Sequence, residues 1–117
     1  MARLIVEAEG TGGEGESSGV ARPNNRDNLY LVVSVTNNYG TPRTGLTAAN
    51  FQVDPIIVAP GGGAVTIATV SERQPGTYLL EVVPIPAATW QLGRYIFWIA
   101  VAAGSSKGQT VSSVFVH

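Results

Sequence analysis

Gly76 to Ala102 reads GTYLLEVVPIPAATWQLGRYIFWIAVA, two apolar runs joined by a Pro-containing corner that ends in Trp90, Gly93 and Tyr95. In the first run Tyr78, Leu80 and Val82 share one face, and in the second Tyr95, Phe97, Ile99 and Val101 share another, because side chains alternate sides along a strand. Together they form the widest block of large apolar side chains in the chain. The two sets are expected to meet across a β-sandwich core. Nothing in the stretch suggests a reaction.

The segments on either side follow the same period. Leu29 to Thr36, LYLVVSVT, puts Leu29, Leu31, Val33 and Val35 on a core face and Tyr30, Val32, Ser34 and Thr36 on the other. Asn37-Asn38-Tyr39-Gly40 and Thr41-Pro42 supply turn chemistry after it. Phe51 to Val58 alternates until Pro55, which lacks a ladder donor and restricts the run to an edge or a bulge. Pro60-Gly61-Gly62-Gly63 leads into a strand from Ala64 to Val70, and Gln74-Pro75-Gly76 makes the next turn. Gln109 to Val116 closes the pattern, with Val111 and Phe115 on one face and Val114 and Val116 on the other. Thr47 to Asn50 is too short to nucleate a helix.

Leu4, Ile5 and Val6 mark residues 1 to 8 as a first strand or arm. Residues 9 to 28 are rich in Gly, Ser and Glu, with little apolar surface to offset the entropy of ordering, and read as a flexible loop. The loop is long for a hairpin, so the arm either folds back on its own body, residues 29 to 117, or reaches a neighbour. Seven short strands with turn signals between them predict one all-β domain, a sandwich of about seven strands with a long Gly-rich loop after the first.

Of 117 residues only 13% are charged, against a usual share of roughly 25%. Eight of the fifteen charges lie in residues 1 to 27, leaving the body nearly uncharged. With six Arg and one Lys scattered along the chain, no basic stripe could neutralise phosphates, so nucleic-acid binding is not expected. An anionic membrane surface is disfavoured on the same ground. There is no cysteine, which removes disulfides, thiol nucleophiles and thiolate metal sites. The apolar run at Leu4 is too short for a signal peptide or a spanning helix. The expectation is a chain made in the cytoplasm, a virion component included, or a domain excised from a surface protein.

VTNNYGTPRTGL, NFQV, GTYLLEVVP and W-x-x-G-x-Y-I-F together resemble bacterial immunoglobulin-like domains of the invasin and filamin-like kind, over about residues 29 to 116. The resemblance implies a structural or adhesive module. It also implies that a corner tyrosine bonds back to the backbone, with Tyr95 in that role and Gly93 allowing the sharp turn before it. Two features depart from the pattern: the cysteine pair of antibody-like domains is absent, and the loop after the first strand is longer than usual.

Several patterns with chemical readings are present. Gly10-Thr11-Gly12-Gly13-Glu14-Gly15 matches G-x-G-x-x-G, but Ser17, Ser18, Gly19 and Pro23 cannot build the helix that would hold a pyrophosphate. Glu7, Glu9, Glu14, Glu16 and Asp27 lack calcium-loop spacing and read as a solvated acidic segment. Asp54 and Glu81 lie inside apolar runs and are expected on solvent faces or paired with an Arg such as Arg94. No nucleophile, base and orienter assemble by spacing, so no enzyme, cofactor or metal site is expected. Trp98 and Ile96 stand opposite Tyr95 and Phe97, and Tyr30 with Val32 shows a second apolar face as well. A lone sandwich carries polar residues there. Leu4, Ile5, Val6, Tyr30, Val32, Ile96 and Trp98 are therefore the interface candidates, contacting other protein subunits or covered within the chain. Tyr39 and Trp90, near loops, are candidates for stacking on a sugar ring.

Overall fold

The computed structural model describes residues 3–11 and 24–116. Their strands are β1 (Leu4–Thr11), β2 (Leu29–Asn37), β3 (Phe51–Ile57), β4 (Val65–Gln74), β5 (Thr77–Pro84), β6 (Gly93–Ala103) and β7 (Ser106–Val116). They form two antiparallel sheets, β1-β2-β5-β4 and β3-β6-β7. With the seven lettered A to G in chain order, this is the ABED and CFG arrangement of the constant-type immunoglobulin sandwich.

The inner faces follow from the alternation. Leu29, Leu31, Val33 and Val35 from β2 and Tyr78, Leu80 and Val82 from β5 bury against Tyr95, Phe97, Ile99 and Val101 from β6. Val114 and Val116 complete the block from β7, leaving Val111 and Phe115 outside. Pro55 interrupts β3, an edge strand, where the register with β6 shifts between Pro55 and Ile57. β4, the other free edge, carries two register shifts and ends in Ser71-Glu72-Arg73-Gln74. Bulges and charge protect both edges from pairing with another chain. β4 runs four residues beyond the expected Val70, and Ala48–Asn50 forms a single 3₁₀ turn.

β1 takes one of the two courses left open for the arm. It is paired within the chain over eight residues with β2, from Leu4 opposite Asn37 to Thr11 opposite Tyr30. Its start also lies along β7, where Arg3 bridges Lys107 in parallel. Gly108 permits that approach, since a Cβ there would run into the Leu4 carbonyl. Leu4 and Val6 thus belong to the core, which corrects their place among interface candidates: at even positions they face inward and close the seam between the sheets. The expected loop is also shorter at both ends. Glu9, Gly10 and Thr11 belong to β1, and Asn24 to Asn28 are held by hydrogen bonds to the corner after β5 and to β5 itself, while residues 12–23 lie outside the described part.

Candidate protein-interaction surface

The β5–β6 corner is a dense polar knot, and Trp90 is its centre. Its side chain is 0% exposed and meets Tyr95 edge-on at 5.1 Å and Phe97 at 6.3 Å, and those two rings stack on each other. The indole Nε1 donates to the Asp27 carbonyl at 2.6 Å. Around it Asn24 N–H donates to the Trp90 carbonyl and Trp90 N–H to the Asn25 carbonyl. Trp90 therefore cannot stack on a sugar, a correction to its reading as a glycan candidate: a large ring with one donor is satisfied inside the fold once a backbone carbonyl is supplied. Gln91 N–H donates to the Tyr95 hydroxyl at 2.8 Å, and burial pushes that hydroxyl's pKa up. Gly93 takes a φ of 136°, in the range that favours glycine, with Ala59 packed where a side chain would stand.

A second tyrosine does comparable work at the opposite end. The Tyr78 hydroxyl donates to the Arg43 carbonyl at 2.6 Å and accepts from Leu46 N–H at 3.2 Å. Glu72 adds two backbone contacts, accepting from Gly45 N–H at 3.1 Å and Gly76 N–H at 3.0 Å. Those two donors hold its carboxyl below the ordinary value of 4.5. The knot is structural.

The outer faces of both sheets leave apolar surface open. On β3-β6-β7, the register sets Ile57 beside Ile96, Trp98 between Asp54 and Val111, and Phe115 beside Arg94. Ile57, Val111 and Phe115 are 51%, 55% and 49% exposed, while Ile96 and Trp98 are half-buried between them. Polar groups lie around this block. Trp98 Nε1 donates to Gln109 Oε1 at 3.0 Å, and Gln52 Nε2 donates to Asp54 Oδ2 at 2.7 Å.

The outer face of β1-β2-β5-β4 has a different character. Val32 lies between Glu9 and Leu79, Tyr30 between Thr11 and Glu81, and Ser34 between Glu7 and Thr77. Ile5 stands at its end, opposite Thr36. Tyr30 and Val32 are thus on the side of the sandwich opposite Ile96 and Trp98. The sequence-predicted apolar face is two faces, because β2 and β6 belong to different sheets.

Asp54 and Glu81 are likewise in different sheets. Glu81 accepts from Asn28 Nδ2 at 3.2 Å and Asp54 from Gln52. Arg94 stands opposite Phe115 in the register, so neither carboxylate is its cross-strand neighbour. Tyr39 is 87% exposed in the β2–β3 loop. Of the glycine-rich pattern, Gly10 lies in β1 and Gly12, Gly13 and Gly15 fall outside the described residues, as do Glu14 and Glu16. Among the described residues no three His, Cys, Asp or Glu side chains gather around one point.

Three members of the apolar block, Ile57, Val111 and Phe115, were not singled out by the sequence as interface residues. For Val111 and Phe115 the signal was present, since they alternate with Val114 and Val116; which of the two faces was inner needed β6 as a neighbour. For Ile57 the signal was hidden, because the shift after Pro55 changes which side an odd-numbered residue faces. The chain matches no protein-family model, no curated protein and no solved structure.

Proposed function

We propose that this protein is a non-catalytic, immunoglobulin-like module that works by packing against other protein subunits through the outer face of β3-β6-β7. One observation carries the reading: Ile57, Ile96, Trp98, Val111 and Phe115 form a contiguous apolar block on a face away from the core. The inner faces already supply a complete core, so the block adds nothing to it. Apolar and aromatic side chains at the centre with charge at the rim are the anatomy of a protein interface. A phage virion accessory or capsid-decorating protein is the setting that suits a cysteine-free module built to contact subunits.

The kinship with bacterial immunoglobulin-like domains is supported by the strand order and by the Tyr95 corner. The alternative within that kinship is a spacer or glycan-binding module of a surface adhesin or carbohydrate-active enzyme. Its glycan form rests on Tyr39 alone now that Trp90 is internal.

A photo-crosslinking residue placed at position 98 tests the interaction reading in extracts of the cells or particles that naturally contain the protein. The expected result is a discrete protein adduct from position 98 and none from the same probe at Thr44, an exposed loop residue. Equal or absent adducts at the two positions would end the reading and leave the spacer.

A further inference from the structure

We infer that the subunit this face receives is a second copy of the same chain, bound head-to-tail, with β3-β6-β7 of one copy lying on the outer face of β1-β2-β5-β4 of the next. The inference rests on the proposed interaction surface and names its partner. The two faces are complementary in two respects. Each has an apolar centre: Ile96 and Trp98 on the middle strand β6 with Val111 beside them on β7 in one, Val32 and Leu79 on the middle strands β2 and β5 in the other. Their charges are opposite. Placed by alternation and register, the described residues of the β1-β2-β5-β4 face carry three acids, Glu7, Glu9 and Glu81, against two cations, Arg3 at one end and Arg73 on the β4 edge. The β3-β6-β7 face carries Arg94 and Lys107 against one acid, Asp54.

Charge also selects against the symmetric arrangements. Two β1-β2-β5-β4 faces brought together would set six carboxylates against four cations, a net like charge, and like charges set together at an interface are costly. Two β3-β6-β7 faces would bring four cations against two carboxylates to the contact and leave the acidic face of each copy unused. Only the mixed pairing lays an acidic rim over a basic one around apolar centres. Sheets stack face to face at about 10 Å with their strands within about 30° of one another, so sandwiches can repeat this contact layer on layer. A heterologous contact repeats until the rotation closes a ring, and otherwise continues as an open stack.

Two single variants separate these arrangements by solution mass, measured by light scattering over a concentration series of the full chain. Val111→Glu places an acid in the β3-β6-β7 face and leaves the other face intact. Val32→Arg places a cation in the acidic face, opposite Glu9 in the register, and leaves the first face intact. The wild type is expected to rise past twice the chain mass, each variant alone to stay at one chain, and their equimolar mixture to reach two chains and stop. That last result arises because one good face of each kind remains in the mixture. If circular dichroism shows that either variant fails to fold, Ile96→Glu and Leu79→Arg replace them on the same two faces.

A wild type that stays at one chain mass overturns the inference, and the position-98 crosslink then decides the interaction reading by itself. Val32→Arg assembling like wild type also overturns it, in favour of paired β3-β6-β7 faces, with the interaction surface intact. Val111→Glu assembling like wild type overturns it in the other direction, and places the contact on the acidic face.

Discussion

Trp90 shows how much one side chain decides here. Its ring fills the end of the sandwich against Tyr95 and Phe97, and its indole nitrogen fastens the segment before β2 through Asp27. Truncation removes a large buried aromatic together with the partner of a backbone carbonyl. Trp90→Ala is expected to lower unfolding stability by about 3–5 kcal/mol, the range for emptying an aromatic core site. Chemical denaturation measures this directly, and a loss below about 1 kcal/mol would contradict the internal placement of the ring. Tyr95 is a smaller version of the same principle, in which one hydroxyl satisfies the Gln91 N–H that the turn leaves without a ladder partner.

At the scale of elements, the end of β4 should lose stability in acid. Glu72 ties the β2–β3 loop at Gly45 to the β4–β5 turn at Gly76, and both bonds favour the ionised carboxylate. Its folded pKa is depressed, so the contribution is present above the unfolded value and is lost as pH falls through the folded one. The window therefore opens below pH 4.5 and extends downward. Glu72→Gln is expected to flatten the acid limb of the stability profile in that window, as read by thermal midpoints at stepped pH. An unchanged limb would show that the two bonds contribute nothing. Tyr78, beside it, has a pKa raised first by burial, so its contribution is present below the unfolded value near 10 and is lost as pH rises through the folded one.

Across the molecule, the core and the proposed interface are separate. The core lies between the sheets, closed at one seam by β1 against β7, while the apolar block of β3-β6-β7 faces outward. Changes on that outer face should therefore affect association without affecting folding. Val111→Glu is expected to leave unfolding stability within about 0.5 kcal/mol of wild type, the usual range for a surface substitution away from special features. A large loss would mean that Val111 supports the sheet itself. Equilibrium denaturation at a concentration where the wild type is a single chain makes the comparison free of association.

Period-two alternation determined the strands, the inner faces of β2, β5 and β6, and the all-β sandwich, because which way a side chain points from a strand is a local property of the backbone. The turn before Gly93 was legible locally as well, while the corner role of Tyr95 was implied by the resemblance to immunoglobulin-like domains and not by alternation. Only the tertiary structure decided what depends on distant partners. Ile96 and Tyr30 look alike along the chain, yet they lie on opposite sides of the sandwich, since strand pairing joins β2 to β5 and β6 to β3 and β7. Trp90 sits beside a loop in sequence and is buried because Asp27, 63 residues away, offers its carbonyl. Ile57 joined the outer block through a register shift that no alternation count reveals. Leu4 and Val6 became core because β2 received β1 within the chain, a choice between near and distant partners that a short apolar run cannot encode alone.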